Sequence, residues 1–499
     1  MVYLKDQDIY LNSLLRQEGV PFAVEEIDAR VFINTRNGQT ILSTTSDLPK
    51  EVLGKRVRVK FLAPDKTEIF FNTGLVDINA WCLIPKSANT GKTDKGQNFL
   101  YQGEDNGSGQ LIVLPFEPKF LLRHRGTRLK RFLARGRRLP YETVATADRG
   151  GLRRLFAGCL RAILNFQNIP YLHLSYVPKG HRSVFGFRID TDFSSPAEII
   201  AAAEIAKRLK MRWTWFLRTA TFTNDIVDVV KVLSGQEIQL HCHRHLIYPD
   251  FERNYRNFSQ GVEILKRAGV NPKGVAAPYG IWNETLDKVF AELGFEYSSE
   301  FGYSYDDVPS RPIVNQKESP VMQIPVHPVS LGRLAWAKMD EKRMIEYYQR
   351  VIDLQIARGE PCFLYDHPDM IVRYPRVITE VLKYGLERCG SFMTLGEYCR
   401  WWQQRERVKY SCRFNEGEID LEAANGISDI NIVLKYLGKM ATLPLTTQRI
   451  DFDALKWEPV LVVPFDREEI RTKSYPLKLR IQEMVRQIQR RLQIKGEMV

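Results

Sequence analysis

Residues 185–217 read FGFRIDTDFSSPAEIIAAAEIAKRLKMRWTWFL. The stretch contains an apolar strand pattern, a polar turn, an amphipathic helix pattern and a second strand pattern. The alternation continues through five further strand-like runs, EIQLH, KGVAAP, EYSSEF, MQIPV and PCFLYDH. About seven β-then-α units predict a parallel sheet, and that number favours a distorted (β/α) barrel over an open sheet.

Outside this repeat the sequence changes character, which divides the chain into five predicted segments. Residues 1–115 carry short alternating strands and predict an N-terminal α/β or β-rich domain of unknown role. Residues 116–179 predict a basic and amphipathic helical linker before the barrel of residues 180–406. Residues 407–475 predict a small β appendage, and residues 476–499 a basic helical tail.

Composition describes an ordinary globular protein. The 499 residues are 44% hydrophobic and 26% charged, which excludes a disordered or low-complexity chain. No run of 18 apolar residues occurs, so a membrane-spanning helix is not expected. The first residues do not have the pattern of a secretory signal, and the seven cysteines have no CxxC spacing. We therefore expect a cytoplasmic protein.

The net charge of +13 is concentrated in two segments. Residues 119–138 contain nine Lys or Arg and no acid, with apolar residues at helical spacing, and residues 477–491 repeat the theme. Both predict basic amphipathic helices, which are either solvated faces or contacts with an anionic membrane surface. Nucleic acid is not expected, because no groove-reading motif accompanies the charge.

Polar residues follow the strand patterns where the mouth of a barrel would lie. The first strand runs into Asp190 and Asp192, which are either functional or cap the next helix. The third runs into His241-Cys242-His243-Arg244-His245. On a helical turn, the i and i+4 imidazoles of His241 and His245 share one face, which is suitable for a divalent metal.

Two imidazoles and one of the two aspartates would leave an open position, the composition of catalytic rather than structural zinc. The other aspartate could then deprotonate a bound water. The turn at residues 278–280 can aim a backbone N–H at an oxyanion. His367, after the last strand, is a candidate general acid, with His327 as a lesser rival. Trp213 and Trp215 either stack on a ligand ring or belong to the core.

In combination and order, these motifs resemble the NodB-type polysaccharide deacetylases, carbohydrate esterase family 4, over residues 180–400. The resemblance makes Asp190 the catalytic base and Asp192 a metal ligand with His241 and His245. It also assigns the oxyanion N–H to Tyr279. The remaining residues that the resemblance places near the site are the catalytic His367 and the weaker substrate-binding candidates Pro278, Gly280, Trp282 and Leu364.

Two departures from the family pattern concern the residues around the base. Ala276 stands where the family has an arginine that orders the base aspartate, and Arg188 is a candidate substitute. The family's fourth motif has no clean counterpart, and YSSEFGYSYDD, with Glu300, Asp306 and Asp307, occupies its place.

The resemblance implies a metal-dependent hydrolase with one divalent ion, most simply Zn²⁺. It would remove the N-acetyl group of an amino sugar in a polysaccharide or a lipid- or nucleotide-linked intermediate, in the cytoplasm or at the inner face of the membrane. Two alternatives stay open: an amidohydrolase acting on a non-sugar C–N bond, and a catalytically retired glycan-binding protein, for which Ala276 is the main evidence.

Overall fold

The computed structural model describes residues 1–4, 8–21, 29–46, 52–104, 109–136, 138–415, 417–423, 429–474 and scattered positions between 477 and 489. The predicted basic tail lies largely outside the described residues. No helix within the described ranges is long and apolar enough to cross a lipid bilayer. The cytoplasmic and membrane-surface locations stay predictions.

The N-terminal region is built on an eight-stranded sheet with the order β1-β2-β3-β8-β7-β6-β4-β5. Helix α3 packs its apolar face into the core of this sheet, so the predicted linker helix is an integral part of the N-terminal core. The elements are α1 (Ile9–Glu18), α2 (Pro118–Leu122), α3 (Arg149–Phe166), β1 (Val2–Leu4), β2 (Val31–Arg36), β3 (Gln39–Ser43), β4 (Gly54–Ala63), β5 (Val76–Pro85), β6 (Thr90–Thr93), β7 (Asn98–Glu104) and β8 (Gln110–Leu114).

The basic segment 119–138 does not form the predicted amphipathic helix. After the short α2 it forms β9 (Thr127–Arg131), which pairs antiparallel with β10 (Tyr141–Ala145). Arg128 and Lys130 turn towards the buried carboxylate of Asp77 on β5, and Lys130 Nζ lies 3.2 Å from its Oδ2. The helical prediction is wrong here because a distant buried carboxylate and strand pairing decide the conformation of this segment.

The next region contains the predicted parallel sheet. Its seven strands have the order β19-β16-β15-β14-β13-β12-β20, and every neighbouring pair is parallel. The backbone N–H of His327 donates to the carbonyl of Phe363 at 2.7 Å, so the segment after β19 lies against β20. This confirms the distorted (β/α) barrel. The strands are β12 (Phe185–Asp190), β13 (Thr214–Arg218), β14 (Glu237–Cys242), β15 (Gly274–Val275), β16 (Tyr297–Ser298), β19 (Met322–Gln323) and β20 (Cys362–Asp366).

Helices connect most of these strands, and a short hairpin of β17 (Ile313–Val314) and β18 (Lys317–Glu318) precedes β19. Ser195 and Glu198 form a reciprocal capping box at the start of α4, so the loop that follows β12 ends at Ser195. The helices are α4 (Pro196–Leu209), α5 (Ile226–Val232), α6 (Phe251–Arg267), α7 (Glu284–Glu292), α8 (Leu331–Trp336), α9 (Glu341–Arg358), α10 (Pro368–Arg373), α11 (Pro375–Cys389) and α12 (Leu395–Glu406).

The C-terminal region is β-rich, and its sheet includes a strand from much earlier in the chain. Strand β11 (Tyr171–Leu174) pairs antiparallel with β23, so this region is joined to the segment before the barrel. Two sheets result, with the orders β21-β22-β25 and β11-β23-β24-β26. Their remaining strands are β21 (Tyr410–Asn415), β22 (Glu418–Ala423), β23 (Asn431–Tyr436), β24 (Lys439–Pro444), β25 (Gln448–Asp451) and β26 (Glu458–Pro459).

A buried histidine on β11 predicts acid sensitivity. His173 is 2% exposed, and burial, with help from Lys435, lowers its pKa to about 3. The unfolded histidine titrates near 6.5, so between pH 6.5 and 3 the unfolded chain binds one more proton than the folded chain. The free energy of unfolding therefore falls as the pH falls. Urea unfolding of wild type and His173→Gln should show wild type losing about 2 kcal/mol more than the variant between pH 7 and 5. Equal losses would contradict this assignment.

Candidate active site

The end of β12 carries a buried ion pair. Arg188 and Asp190 are two residues apart on this strand and therefore lie on the same side of it. Arg188 Nε donates to Asp190 Oδ1 at 2.7 Å, and Nη2 donates to Oδ2 at 2.5 Å. A second contact joins Arg188 Nη1 to Ser299 Oγ at 3.1 Å. Burial opposes the charge of Arg188, but Asp190 raises its pKa, so the guanidinium stays charged.

The Arg188–Asp190 pair explains how the site can have an alanine at position 276, where the family has an arginine. Ala276 is fully buried, and its N–H donates to the carbonyl of Leu240 at 3.1 Å. The guanidinium that holds Asp190 comes from the same strand as the aspartate. Arg188 therefore makes the contact for which it was a candidate, and the absence of an arginine at 276 does not leave Asp190 unsupported.

Three candidate ligands meet beyond the strand ends. His241 Nε2 and His245 Nε2 lie 3.0 Å and 3.2 Å from the same oxygen, Oδ1 of Asp192. The predicted helical turn is absent: His241 belongs to β14, and residues 243–245 bend back after it. His243 leaves the group, with Nδ1 3.0 Å from Thr219 Oγ1. Asp192 reaches the group with φ 37°, a backbone conformation in which a non-glycine residue is strained.

The chemistry of this group fits a divalent metal. One potential ligand atom from each of Asp192, His241 and His245 lies within 4.8 Å of the other two. Two donors bound to one tetrahedral zinc stand about 3.3 Å apart, close to the separations seen here. Among the described residues, the four buried ring nitrogens of these histidines have no well-formed hydrogen bond. Burial lowers the pKa of His245, which favours the neutral imidazole that ligates metal. These three residues could hold the ion.

His367 lies beside this group. It follows β20, and its Nε2 is 3.4 Å from Asp192 Oδ2. The side chain is 24% exposed, so it is open to the cleft. Burial opposes the charge of His367, but Asp192 and Asp366 raise its pKa. Burial also raises the pKa of Asp366 to about 7. His367 is therefore placed as a proton donor would be.

The turn at residues 278–280 is held in an unusual conformation. Tyr279 has φ 61°, which costs about 1–3 kcal/mol for a residue other than glycine or asparagine. The turn is anchored at its start, where the N–H of Ala277 donates to Glu300 Oε1 at 2.9 Å. Glu300 is buried and accepts a second hydrogen bond from Gln323 at 2.8 Å. Glu300, which lies in the segment that takes the place of the family's fourth motif, therefore holds this turn in position.

An open cleft of about 630 Å³ contains the candidate residues Asp190, Asp192, His241, Tyr279, Gly280 and His367. Other candidates are not brought to it. Pro278, Leu364 and the 2%-exposed Trp282 are buried and do not belong to its described lining, and Trp282 packs on Tyr303. His327 faces a second cavity. Trp213 and Trp215 are fully buried and stack on each other, so the core alternative is correct for both.

The cleft also contains residues that no sequence motif indicated. The hairpin β9–β10 contributes Glu142, whose carboxylate accepts two hydrogen bonds from Arg333 at 2.6 and 2.8 Å. Phe193 is 65% exposed at the rim, and its ring lies 5.1 Å from that of His245. Only the adjacency of Phe193 to Asp192 could have indicated it.

The comparisons with known proteins concern less than half of the chain. No family model matches the sequence, and no curated protein matches it significantly. Solved structures do match. They include polysaccharide deacetylases and members of carbohydrate esterase family 4.

A polysaccharide deacetylase structure from Mycobacterium smegmatis is 18% identical, with a TM-score of 0.39, and covers 48% of this chain and 96% of its own. One from Pseudomonas aeruginosa is 15% identical, with a TM-score of 0.38, and covers 45% and 92%. A family 4 carbohydrate esterase from Streptomyces lividans in complex with acetate is 14% identical, with a TM-score of 0.30, and covers 43% and 94%. A family 4 pseudoenzyme from Bacillus anthracis also matches, at 12% identity, with a TM-score of 0.30 and coverage of 44% and 66%.

Proposed function

We propose that this protein is a divalent-metal-dependent hydrolase that removes the N-acetyl group of an amino sugar. One observation carries the proposal: Asp192, His241 and His245 converge on one point at the edge of an open cleft that Asp192 and His241 line, beside a second aspartate held by a buried arginine. Three ligands with an open position are the composition of a hydrolytic metal centre. Zn²⁺ is the ion we propose, because imidazole and carboxylate donors suit it.

Each step of amide hydrolysis is assigned to a different group of the site. A bound divalent ion supplies the electrophile that activates water and polarises the acetyl carbonyl. Asp190 accepts a proton from the attacking water, whose oxygen bonds to the acyl carbon. The Tyr279 N–H stabilises the oxyanion. His367 gives its proton to the nitrogen as the C–N bond breaks, which releases acetate and the free amine.

The charge of the cleft supports a substrate that is neutral at the reacting end. Its described lining contains the carboxylates of Glu142, Glu198 and Asp369 besides the two site aspartates, against one arginine, Arg333. An acetamido sugar is neutral, and its deacetylated product is an ammonium ion that this lining accommodates. The acidic lining therefore favours an amino sugar within a polysaccharide over one that is linked to a lipid or a nucleotide through pyrophosphate. Segment 119–138 is folded into the protein, so it does not support a contact with a membrane surface.

Acetate release under metal control tests the proposal. The full chain should carry about one zinc-like ion and release acetate from oligomers of N-acetylglucosamine. Chelation should abolish release, and added Zn²⁺ should restore it without a change in the fold, as judged by circular dichroism. A panel of simple amides and a nucleotide-linked acetamido sugar is assayed in parallel. Release confined to the simple amides would reject the proposal in favour of a non-sugar amidohydrolase. A metal-loaded protein without any turnover would reject it in favour of a catalytically retired glycan-binding protein.

A further inference from the structure

A second cavity of about 550 Å³ lies between the N-terminal region, the barrel and the C-terminal segment. Its walls are the loop at residues 64–75, the end of β9 with residues 131–133, the second half of α9, and the strap, which we define as residues 460–474. The strap is fastened by Asn72, whose Nδ2 donates to Leu461 at 2.7 Å and whose Oδ1 accepts from Val463 at 2.8 Å. The volume is that of a small-molecule site, and domain interfaces are where such sites commonly occur.

The cavity is positively charged. Lysines and arginines in its described lining are twice as numerous as aspartates and glutamates. Three cations, Arg128, Lys130 and Lys473, converge on the single buried carboxylate of Asp77. Burial lowers the pKa of Lys473 to about 8. The attraction of Asp77 opposes this shift, and the repulsion of Lys130 adds to it. Asp148 adds a second buried carboxylate 3.9 Å from Lys130, so three cations face two carboxylates here and the lining keeps an excess of positive charge.

Arg358 is a cation of this lining whose hydrogen-bond partners are all neutral. Its Nε donates to the carbonyl of Asn72 at 3.0 Å, and its Nη1 donates to Gln355 Oε1 at 3.0 Å. Both acceptors are neutral, and among the described residues no carboxylate lies within ion-pair distance of it. Burial, together with Arg154, lowers the pKa of Arg358 to about 10. A partly buried guanidinium with neutral partners gains most from an anion in the cavity.

Two buried donors elsewhere in the lining also lack partners within the described residues. Thr73 is 2% exposed, and its hydroxyl has no hydrogen bond within the described structure. The Arg154 side chain is 9% exposed, and its Nε is likewise unsatisfied within the described ranges, although Nη1 pairs with Glu360 at 2.8 Å. Buried donors without acceptors are unfavourable, so their presence in a cavity indicates a missing acceptor.

We propose that this cavity binds a phosphate ester that also carries a ring. Guanidinium, ammonium and hydroxyl donors are the groups that recognise phosphate oxygens. The volume exceeds what a bare phosphate needs, and the aromatic side chains of Phe71, Phe132 and Phe465 complete the lining. Sugar phosphates and nucleotides share this chemistry. The site is separate from the acidic cleft, although β9–β10 contributes residues to both.

Calorimetric titration of the metal-stripped full chain tests the site. The probes are glucosamine 6-phosphate and ADP, with adenosine as the uncharged ring. We expect at least one phosphorylated probe to bind one to one with Kd below about 1 mM, and adenosine to give no heat. Preference between the two probes separates a sugar phosphate from a nucleotide. Absence of binding by both phosphorylated probes would overturn the proposal.

Variants locate the binding. Arg358→Gln should weaken it at least about tenfold, and Thr73→Val severalfold, because each removes a donor but no ion pair. Arg376→Gln, an arginine that is 72% exposed on α11, is the matched control and should bind as wild type does. Asp192→Ala should also bind normally. Loss of binding in Asp192→Ala, or normal binding by folded Arg358→Gln and Thr73→Val, would refute this site without affecting the proposed hydrolase.

Discussion

Asp190→Asn is expected to lower turnover about 10³-fold while the protein still binds one metal ion per chain. Asparagine has the same shape as aspartate, but its amide does not accept the proton of the attacking water. Asp192→Asn should behave differently, because it removes the one carboxylate that both imidazoles approach, and the ion should be lost together with activity. Elemental analysis and acetate release on the same preparations measure the two effects separately.

Two further variants make this result specific. Asp369→Asn is the same chemical change in the lining of the same cleft, and it should alter turnover only a few-fold. Arg188→Lys should keep the ion but lower kcat, because a lysine cannot hold both oxygens of Asp190 as the guanidinium does. If Asp190→Asn loses the ion, or if it works as well as wild type, the assignment of Asp190 as the base is wrong.

The barrel was predictable because its signal is local. Each of the seven strands is a short apolar run, and each of the polar groups at their ends is adjacent to such a run in sequence. The carboxyl ends of parallel strands lie at one edge of a sheet, so Asp192, His241 and His245 could be expected to meet. Only the local geometry was wrong, since the two imidazoles meet through a bend after a strand and not through a helical turn.

Other features depend on contacts between residues that are distant in sequence. The basic segment 119–138 has helical spacing, but its Arg128 and Lys130 pair with Asp77, about 50 residues earlier, and residues 127–131 form a strand instead. Strand β11 pairs with β23, about 260 residues later in the chain. Glu142 reaches the cleft only because the hairpin β9–β10 lies against the barrel. No periodicity in the sequence encodes these pairings.

The largest stability effect is expected from Arg153→Met. Arg153 on α3 is 2% exposed, and its guanidinium contacts three buried carboxylates from different parts of the chain. It lies 2.7 Å from Glu18 of α1 and 2.8 Å from Asp307, and it also pairs with Glu360. Methionine would leave these carboxylates without their common cation. We expect a loss of about 3–5 kcal/mol, a large part of the stability of an ordinary domain.

The dependence of this loss on pH distinguishes it from a packing defect. In wild type the pKa of Glu18 is lowered to about 2: burial opposes this, and Arg153 overcomes it. Its contribution to stability is therefore present above pH 4.5 and is lost only as the pH falls towards 2. In Arg153→Met the buried carboxylates take up protons more easily, so urea unfolding should show a smaller deficit at pH 5 than at pH 8. Arg212→Met, which removes an ion pair whose arginine is 57% exposed, should cost less than about 1 kcal/mol at either pH. A deficit of that small size in Arg153→Met, or one that does not change with pH, would show that the three carboxylates do not depend on this cation.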